Sequence, residues 1–396
     1  MLDFRWICRR PCPIVRRMEN TPDTIGIEEE YLLVDLESRD LCADPPEAFM
    51  RACRDILGER VTPEFLRCQI EVGTPVCRSV AEARRELAAC RSAISGEARR
   101  HGIGLMAAST HPFAEWREQI TTGKARYLQH AADLRTVAQR QLICGMHVHV
   151  GIPDDEVRID LHSQLVYFLP HLLALSASSP FWQGRSTGLK SYRTAISVEL
   201  PRSGLPQTFA SAAEYRRFVD LLVSTGRIED ASKIWWDLRP SHNFPTLELR
   251  ITDVCTRLDD GMCIAALFQS TAAMLLALKR RNQRWRNYLP ALVAENRWIA
   301  QRHGASGELL DFGRGAAVTF PDLIDELIDL VGGEADALGC RAEVERARHI
   351  AAGGTSADRQ LAVFGTTMEA GGDEQAALRA VVDHLLAETL EGCAAA

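Results

Sequence analysis

The stretch "TIGIEEEYLL" (residues 24–33) sets three consecutive glutamates, Glu28, Glu29 and Glu30, between β-branched and apolar residues. This pattern predicts a strand over residues 24–34, in which Glu28 and Glu30 lie on one face and Glu29 lies on the other. A carboxylate buried without a partner costs several kcal/mol, so folded chains avoid it unless a cation compensates the charge. The segment therefore predicts that bound cations or basic side chains from elsewhere in the chain face these glutamates.

Three more strand-like segments carry ionisable side chains among apolar residues. Glu71 stands alone in "QIEVGTPV", and His147 and His149 share one face of "GMHVHVGI". Glu248 and Arg250 share one face of "TLELRITDV". Each segment alone has an ordinary explanation, such as the solvent-exposed face of an edge strand or histidines with satisfied hydrogen bonds. Together they predict a shared site in which carboxylates and an imidazole bind Mg²⁺ or Mn²⁺.

Composition and motifs argue against several classes of function. The 396 residues have a formal net charge of −7 and no basic stripe, which argues against a nucleic-acid partner. The absence of GxxxxGK(S/T), and of GxGxxG after a strand, argues against P-loop and dinucleotide-binding folds. Twelve cysteines without a CxxC pair indicate free thiols in a reducing compartment. Since no uninterrupted apolar run reaches the roughly 20 residues that span a bilayer, we expect a cytoplasmic protein with no membrane partner.

The order of the predicted elements favours an α+β fold with a largely antiparallel sheet. Besides residues 24–34, strands are predicted over 103–109 and 142–152, and "KIWWDLRP" and "TLELRITDV" form a predicted hairpin. Strands that pair in hairpins and helices that come in separate runs are typical of this class rather than of alternating βαβ units. We expect a disordered leader or a misassigned start over residues 1–23, and a single catalytic domain over 24–396 with a helical C-terminal part.

Capping residues and apolar periodicity predict the helices. Two capping boxes, each a serine followed three residues later by a glutamate, predict helices that begin after Ser79 and after Ser211. Another helix is predicted over 127–141, and a long apolar helix bends or breaks at Pro170. From Gly261 onward the pattern is helical nearly to the end of the chain.

The chain resembles a known family at many places in order, from about residue 24 to the C-terminal helices. It is similar to the type 2 glutamate–cysteine ligases, bacterial ATP-dependent carboxylate–amine ligases that share the fold of glutamine synthetase and the guanidino kinases. The matching stretches are "TIGIEEEYLLVD", "QIEVGTPV", "AASTHPFAEW", "GMHVHVGI", "LALSASSPFWQGRSTGLKSYRT", "PRSGLP", "WWDLRPS", "PTLELRITDV" and "ENRWIAQRHG".

The resemblance implies a curved, largely antiparallel sheet with helices on one side, whose concave face binds ATP, divalent metal ions and glutamate. His149 resembles a position that approaches the amino-acid substrate, and Arg250 resembles a catalytic arginine that faces the phosphate. Arg193, in "SYRT", is a second candidate for the transferred phosphate or the substrate carboxylate. Carried over by position, five side chains resemble metal ligands: Glu28, Glu30, Glu71, His147 and Glu248.

Two further motifs each have two explanations. Asp237 and Arg239, in "WDLRP", flank the implied substrate site, although a salt bridge within the hairpin explains them equally well. Asn296 and Arg297, in "ENRW", match a family motif but lie on a predicted helix, where packing or capping is an equal alternative.

The implied reaction is two-step amide formation. The γ-carboxylate of glutamate attacks ATP to give an acyl phosphate and ADP, and an amine then displaces phosphate. Cysteine as that amine rests on the resemblance alone. The alternatives are a metal-dependent hydrolase of the amidohydrolase type, a non-catalytic regulator that binds nucleotide or amino acid, and the same chemistry with another amine. We expect a homodimer, because sheet edges in such folds commonly need covering.

Overall fold

The structure, a computed structural model, describes residues 22–393. The predicted leader therefore lies outside the described residues except for Pro22 and Asp23, and the assignment of residues 24–396 to one domain stays a prediction. A continuous core of buried apolar side chains includes Ile25 of the first strand and Cys393. A small second cluster gathers around Ile228, Ile234 and Trp236.

The strands range from two to eleven residues in length. They are β1 (Ile25–Asp35), β2 (Val61–Pro63), β3 (Gln69–Gly73), β4 (Ile103–Met106), β5 (Met146–Gly151), β6 (Phe181–Trp182), β7 (Arg185–Ser186), β8 (Ser203–Gly204), β9 (Trp235–Trp236), β10 (Leu238–Pro240), β11 (Thr246–Leu249), β12 (Glu308–Asp311) and β13 (Ala316–Thr319).

The helices range from four to 23 residues in length. They are α1 (Glu47–Leu57), α2 (Val80–Arg99), α3 (Ala125–Leu134), α4 (Thr136–Gln139), α5 (Asp155–Leu165), α6 (Leu169–Ser176), α7 (Arg193–Ser197), α8 (Ala212–Ser224), α9 (Leu258–Arg280), α10 (Pro290–His303), α11 (Phe320–Leu338), α12 (Arg341–Gly353), α13 (Ser356–Glu369) and α14 (Glu374–Thr389).

The long strand β1 lies in the middle of the main sheet. Within residues 22–393, this sheet has seven strands in the order β10–β11–β5–β1–β3–β2, with β4 also paired to β1. Every pair in it is antiparallel. The predicted antiparallel sheet and the β10–β11 hairpin are therefore confirmed, and the parallel barrel that an amidohydrolase requires is absent from the described part of the chain.

The two faces of β1 differ in chemistry. Ile25, Ile27, Tyr31 and Leu33 are buried on the face that also carries Glu29. Helix α2 packs against β1 and helix α9 packs against β5, which encloses this face within the core. Glu28 and Glu30 lie on the other face, as the period of two predicts.

Glu29 forms an ion pair within the core with Arg91 of α2. Both side chains are fully buried, and Arg91 donates from Nε and Nη2 to the two carboxylate oxygens at 3.0 and 2.9 Å. The Tyr31 hydroxyl donates to the same carboxylate. Arg91 also donates to the carbonyls of Cys255, Thr256 and Thr389. A buried ion pair with its hydrogen bonds satisfied offsets the cost of removing both charges from water.

Several predicted helices need correction. The predicted helix over 127–141 is two helices, because Arg135 adopts a left-handed φ of 49° between α3 and α4. The predicted break at Pro170 is confirmed: a 3₁₀ turn, Val166–Phe168, separates α5 from α6, and Pro170 lies in the first turn of α6. The helical prediction after residue 261 was wrong over 308–319, where β12 and β13 form a hairpin.

The two predicted N-caps are confirmed. Ser79 and Ser211 accept hydrogen bonds from the backbone N–H groups of Glu82 and Glu214. Helix α9 is the one helix in residues 22–393 that is long and apolar enough to cross a membrane by length and composition. Because 83% of its most apolar window is buried, α9 has the character of a core helix.

Candidate active site

The register of the central strands places the predicted ionisable groups side by side. Residues directly opposite each other in an antiparallel pair share a face and lie in contact distance. Glu30 of β1 lies opposite Glu71 of β3, and Thr62 of β2 lies opposite Glu71 on the far side. Thr62 donates to the Glu71 carboxylate at 3.1 Å. This row is the first part of the polar face.

Two parallel rows complete this face. In the first, Glu28 of β1 lies opposite His147 of β5. In the second, Glu248 of β11 lies between His149 of β5 and Arg239 of β10. Five strands, β1, β3, β5, β10 and β11, therefore contribute one continuous patch of carboxylates, imidazoles and a guanidinium. We call the groove over this patch the acidic cleft.

Three groups of side chains in the acidic cleft have the composition of divalent-metal sites. In each group the candidate ligand atoms all lie within 4.8 Å of one another. Glu28 and Glu71 each belong to two groups, so the three candidate positions adjoin. The groups are Glu28, Glu71 and His147; Glu28, His149 and Glu248; and Glu30, Glu64 and Glu71.

The structure thus brings together all five predicted metal ligands, and their role as ligands stays a prediction. His149, predicted to approach substrate, lies in one of the groups. Glu64 was missed by sequence reasoning, because it lies in the turn between β2 and β3, where no alternation marks it. The sequence offers one signal for Glu64, which is that it lies five residues before Gln69, the first residue of "QIEVGTPV".

Hydrogen bonds to the histidines keep Glu28 ionised. Burial alone would raise the pKa of Glu28, but hydrogen bonds and charge from His147 and His149 outweigh burial and hold that pKa well below its usual range. His147 Nδ1 lies 3.2 Å from Glu28 Oε2, and His149 Nε2 lies 3.5 Å from Oε1. Burial and the neighbouring charge of Arg250 lower the pKa of His147 to about 4. A neutral imidazole is the form that binds a metal ion.

The third group is electrostatically unfavourable without a cation. Burial and the charge of Glu71 raise the pKa of Glu30 to about 7. Burial and the charges of Glu71 and Glu30 raise the pKa of Glu64 well above its usual value. The pKa of Glu71 is also raised, by burial and by Glu28. Carboxylates that crowd together in this way bind protons or cations strongly.

Two arginines already contact Glu248. Arg239 donates from Nε and Nη2 to the two Glu248 oxygens at 2.9 and 3.0 Å, and Arg250 Nη1 contacts the same carboxylate. Burial would raise the pKa of Glu248, but Arg250 and Arg239 outweigh it and hold the pKa well below its usual range. Arg250 Nη1 also lies 3.4 Å from His147 Nδ1. The predicted nearness of Glu248 and Arg250 is therefore observed, although Glu248 faces arginines as well as His149.

The predicted salt bridge within the hairpin is observed for Arg239, which pairs with Glu248 across β10 and β11, but Asp237 takes no part in it. Asp237 instead accepts a hydrogen bond from Arg297 of α10 at 2.7 Å, while Arg239 pairs with Glu248. Asn296 has a structural role: it donates to the Leu310 carbonyl at 2.8 Å and accepts from the Leu310 N–H at 2.7 Å.

Arg193 lies at the edge of the acidic cleft and is buried. Its Nη1 and Nη2 atoms donate to the backbone carbonyls of Ile251 and Arg250 at 3.2 and 3.0 Å. Its predicted contact with a phosphate or a carboxylate stays a prediction. The lining of the cleft beside it includes the charged or ionisable residues Glu30, Glu64, His147 and Arg250 and the apolar residues Phe65, Ile143, Leu200 and Trp235.

The sequence model of glutamate–cysteine ligase family 2 matches residues 24–384. The chain belongs to this family. A relative from Rhodospirillum rubrum, provisionally named glutamate–cysteine ligase 2, is 58% identical over 371 residues, which are 93% of this chain and 95% of that protein. A Jannaschia relative with the same provisional name is 56% identical over 363 residues, covering 92% and 96% of the two chains.

Solved structures share the fold of this glutamate–cysteine ligase family 2 member. The glutamate–cysteine ligase of Francisella tularensis, solved with AMP, has a TM-score of 0.67 at 13% identity and covers 93% of this chain and 92% of that one. A bifunctional glutathione synthetase of Pasteurella multocida has a TM-score of 0.66 at 14% identity and covers 93% of this chain and 53% of that one. The predicted family and fold class are thereby confirmed.

Proposed function

We propose that this protein is an ATP-dependent carboxylate–amine ligase that joins the γ-carboxylate of glutamate to a small amine, with cysteine as the leading acceptor. The observation that carries the proposal is the acidic cleft. Its three candidate metal-binding groups adjoin because Glu28 belongs to two of them and Glu71 belongs to two. Membership of a ligase family supports the reaction class. The AMP in the Francisella tularensis relative of the same fold supports an adenine nucleotide as substrate.

The residues present fit Mg²⁺ or Mn²⁺. Each group supplies oxygen ligands, with nitrogen from histidine in two of them, as hard divalent cations prefer. His149 Nε2 lies 3.5 Å from Glu28 Oε1 and 4.0 Å from Glu248 Oε2, so it faces the position where these three side chains would hold a cation. Bound divalent ions would neutralise the negative charge that builds up between the triphosphate and the attacking carboxylate. Glu28, Glu30, Glu71 and His147 would bind them, and Glu248 would do so while it also contacts two arginines.

The chain's own side chains then position the two anions. In the first step the glutamate γ-carboxylate bonds to the γ-phosphorus of ATP and ADP leaves, which gives an acyl phosphate. In the second step the amine nitrogen bonds to the acyl carbon, phosphate leaves and the amine loses a proton. Such phosphoryl transfer depends on positioning and charge stabilisation. The Arg250 guanidinium, beside Glu248 and His147, can donate two parallel hydrogen bonds to phosphate oxygens from its planar fork, a geometry that a lysine ammonium lacks.

A screen of ADP release tests this function. Purified protein is incubated with ATP, glutamate and a panel of amines that includes cysteine, with Mg²⁺, with Mn²⁺ or with EDTA. We expect ADP release that requires glutamate, an amine and the metal, and a γ-glutamyl amide of matching mass. Glu28→Gln is the matched inactive variant, and Glu59→Gln, on the exposed surface, is the control that retains activity.

Three results would contradict the proposal. ADP release that does not depend on glutamate, or metal-dependent hydrolysis without ATP, would assign another reaction to the cleft. ATP binding without turnover across the whole panel would favour the non-catalytic regulator. We also propose that the protein is a cytoplasmic homodimer. Light scattering after gel filtration measures the mass of the particle and so tests whether it is a dimer.

A further inference from the structure

The strand β11 ends one residue before Arg250, which leaves the backbone of Arg250 and Ile251 outside the regular ladder. On one side, the N–H groups of both residues donate to the Asp237 carbonyl, at 2.8 and 3.0 Å. On the other side, their carbonyls accept the two hydrogen bonds from Arg193. The position of the segment that carries the Arg250 side chain into the acidic cleft therefore depends on a side chain from α7.

Arg193 is itself fixed by a buried polar network. Asp253, fully buried, lies 3.9 Å from Arg193 Nη1 and supplies the opposing charge. Its two oxygens accept hydrogen bonds from the Ser178 N–H, the Ser179 hydroxyl and the Ser191 hydroxyl at 2.8–2.9 Å. The Ser179 hydroxyl in turn accepts from the Arg193 N–H at 3.1 Å. A buried carboxylate with this many donors holds three stretches of chain in one arrangement.

The space for the Arg193 guanidinium depends on the glycine that immediately precedes β5. A Cβ atom added to Gly145 would lie 2.5 Å from Arg193 Nη2, closer than two such atoms approach. The Gly145 N–H donates to Glu30 at 2.7 Å, so this residue contacts both the arginine and the carboxylate patch. The motifs "SASSP", "SYRT" and "ITD" are thereby joined into one structure behind the cleft.

From this geometry we propose that Arg193, held by Asp253, is a positioning residue that sets the backbone of Arg250 and so aims the Arg250 guanidinium at the phosphate. The proposal rests on the proposed function, in which Arg250 contacts the phosphate. It differs from the role suggested by the sequence, because Arg193 acts through Arg250 rather than by touching a substrate.

A double-mutant cycle separates the two roles. Wild type, Arg193→Lys, Arg250→Lys and the double variant are compared in the ADP-release assay for kcat and for the KM values of ATP and glutamate. Misplacing a catalytic group by about 1 Å costs about 100-fold in rate, so Arg193→Lys should lower kcat by up to this factor with little change in KM. Because residues that act through one another are not additive, the double variant should be no slower than Arg250→Lys.

Controls keep the result interpretable. Arg346→Lys weakens an ion pair with Asp260 that lies outside the cleft. Its small reduction in kcat should multiply with the reduction caused by Arg250→Lys when the two substitutions are combined. Ser191→Ala removes one donor to Asp253 and should lower kcat less than Arg193→Lys does, with no effect in the Arg250→Lys background. It is also the variant to use if Arg193→Lys does not fold.

Two outcomes would overturn the positioning role. Losses that multiply in the double variant, or a raised KM for glutamate in Arg193→Lys, would mean that Arg193 contacts a substrate directly. If wild type shows no turnover with any amine, the proposed function fails and crystal structures decide the positioning role. A shifted backbone at Arg250 and Ile251 in Arg193→Lys would then support it, and an unchanged backbone would reject it.

Discussion

Replacing Glu30 with glutamine should stabilise the metal-free protein at neutral and alkaline pH. The folded protein raises the pKa of Glu30 from 4.5 to about 7, through burial and the charge of Glu71. A raised carboxyl pKa means that the folded state retains a proton that the unfolded state has lost. Glu30 therefore leaves the free energy of unfolding unchanged below about pH 4.5, lowers it progressively as the pH rises from 4.5 to about 7, and lowers it by a constant amount above that.

The magnitude follows from the two pKa values. The interval from 4.5 to about 7 corresponds to about 3 kcal/mol at about 1.4 kcal/mol per pH unit. A chain of 396 residues has an unfolding entropy of about 0.8 kcal/mol/K, at about 2.1 cal/mol/K per residue. Glu30→Gln, which cannot ionise, should therefore raise the melting temperature by about 4 °C at pH 8. The gain should shrink toward pH 5.

Thermal unfolding followed by circular dichroism in EDTA, from pH 5 to pH 8, measures this difference. Burial lowers the pKa of several histidines, including His111 and His162, which destabilises the fold at acid pH. Both proteins contain these histidines, so subtracting the variant's curve from that of wild type removes their contribution. The exposed Glu59→Gln variant should follow wild type at every pH.

Adding Mg²⁺ or Mn²⁺ should narrow the difference in melting temperature between the two proteins. A ligand at 100 times its dissociation constant stabilises the state that binds it by about 2.7 kcal/mol. The melting temperature of wild type should rise by about 3 °C when the metal binds, and that of Glu30→Gln should rise less because the variant lacks one ligand. Parallel pH curves for wild type and Glu30→Gln in EDTA would refute the electrostatic reasoning. Equal metal stabilisation of both proteins would remove Glu30 from the metal site.

Other variants test separate parts of the site and the core. Glu28→Gln should abolish metal-dependent ADP release without unfolding the protein, and normal release would exclude Glu28 as a ligand. Arg250→Lys should lose about 2–4 kcal/mol of transition-state stabilisation, measured from kcat/KM; unchanged kinetics would make Arg250 structural. Arg91→Met should cost about 3–5 kcal/mol in urea denaturation, because Glu29 is left buried and unpaired. Adding Glu29→Met should recover part of that loss, since three carbonyls still lack the Arg91 donor; no recovery would mean that the unpaired charge of Glu29 is not the cause.

Local sequence was sufficient to predict the central strand and its two faces. The period of two along residues 24–34 depends only on backbone geometry, so it placed Glu28 and Glu30 together and Glu29 apart. The serine caps at Ser79 and Ser211 were equally local, since each contact spans three residues. Alternation also placed His147 and His149 on one face, but it did not show which strands lie beside them.

Tertiary structure alone decided the partners of these groups. Arg91 reaches Glu29 across 62 residues of sequence, Arg193 reaches Arg250 across 57, and Arg297 reaches Asp237 across 60. Glu64 joined the carboxylates only because the turn between β2 and β3 lies beside them. Periodicity describes the direction of a side chain relative to its own backbone. The charge that faces it depends on how distant segments pack, and only the folded chain determines that.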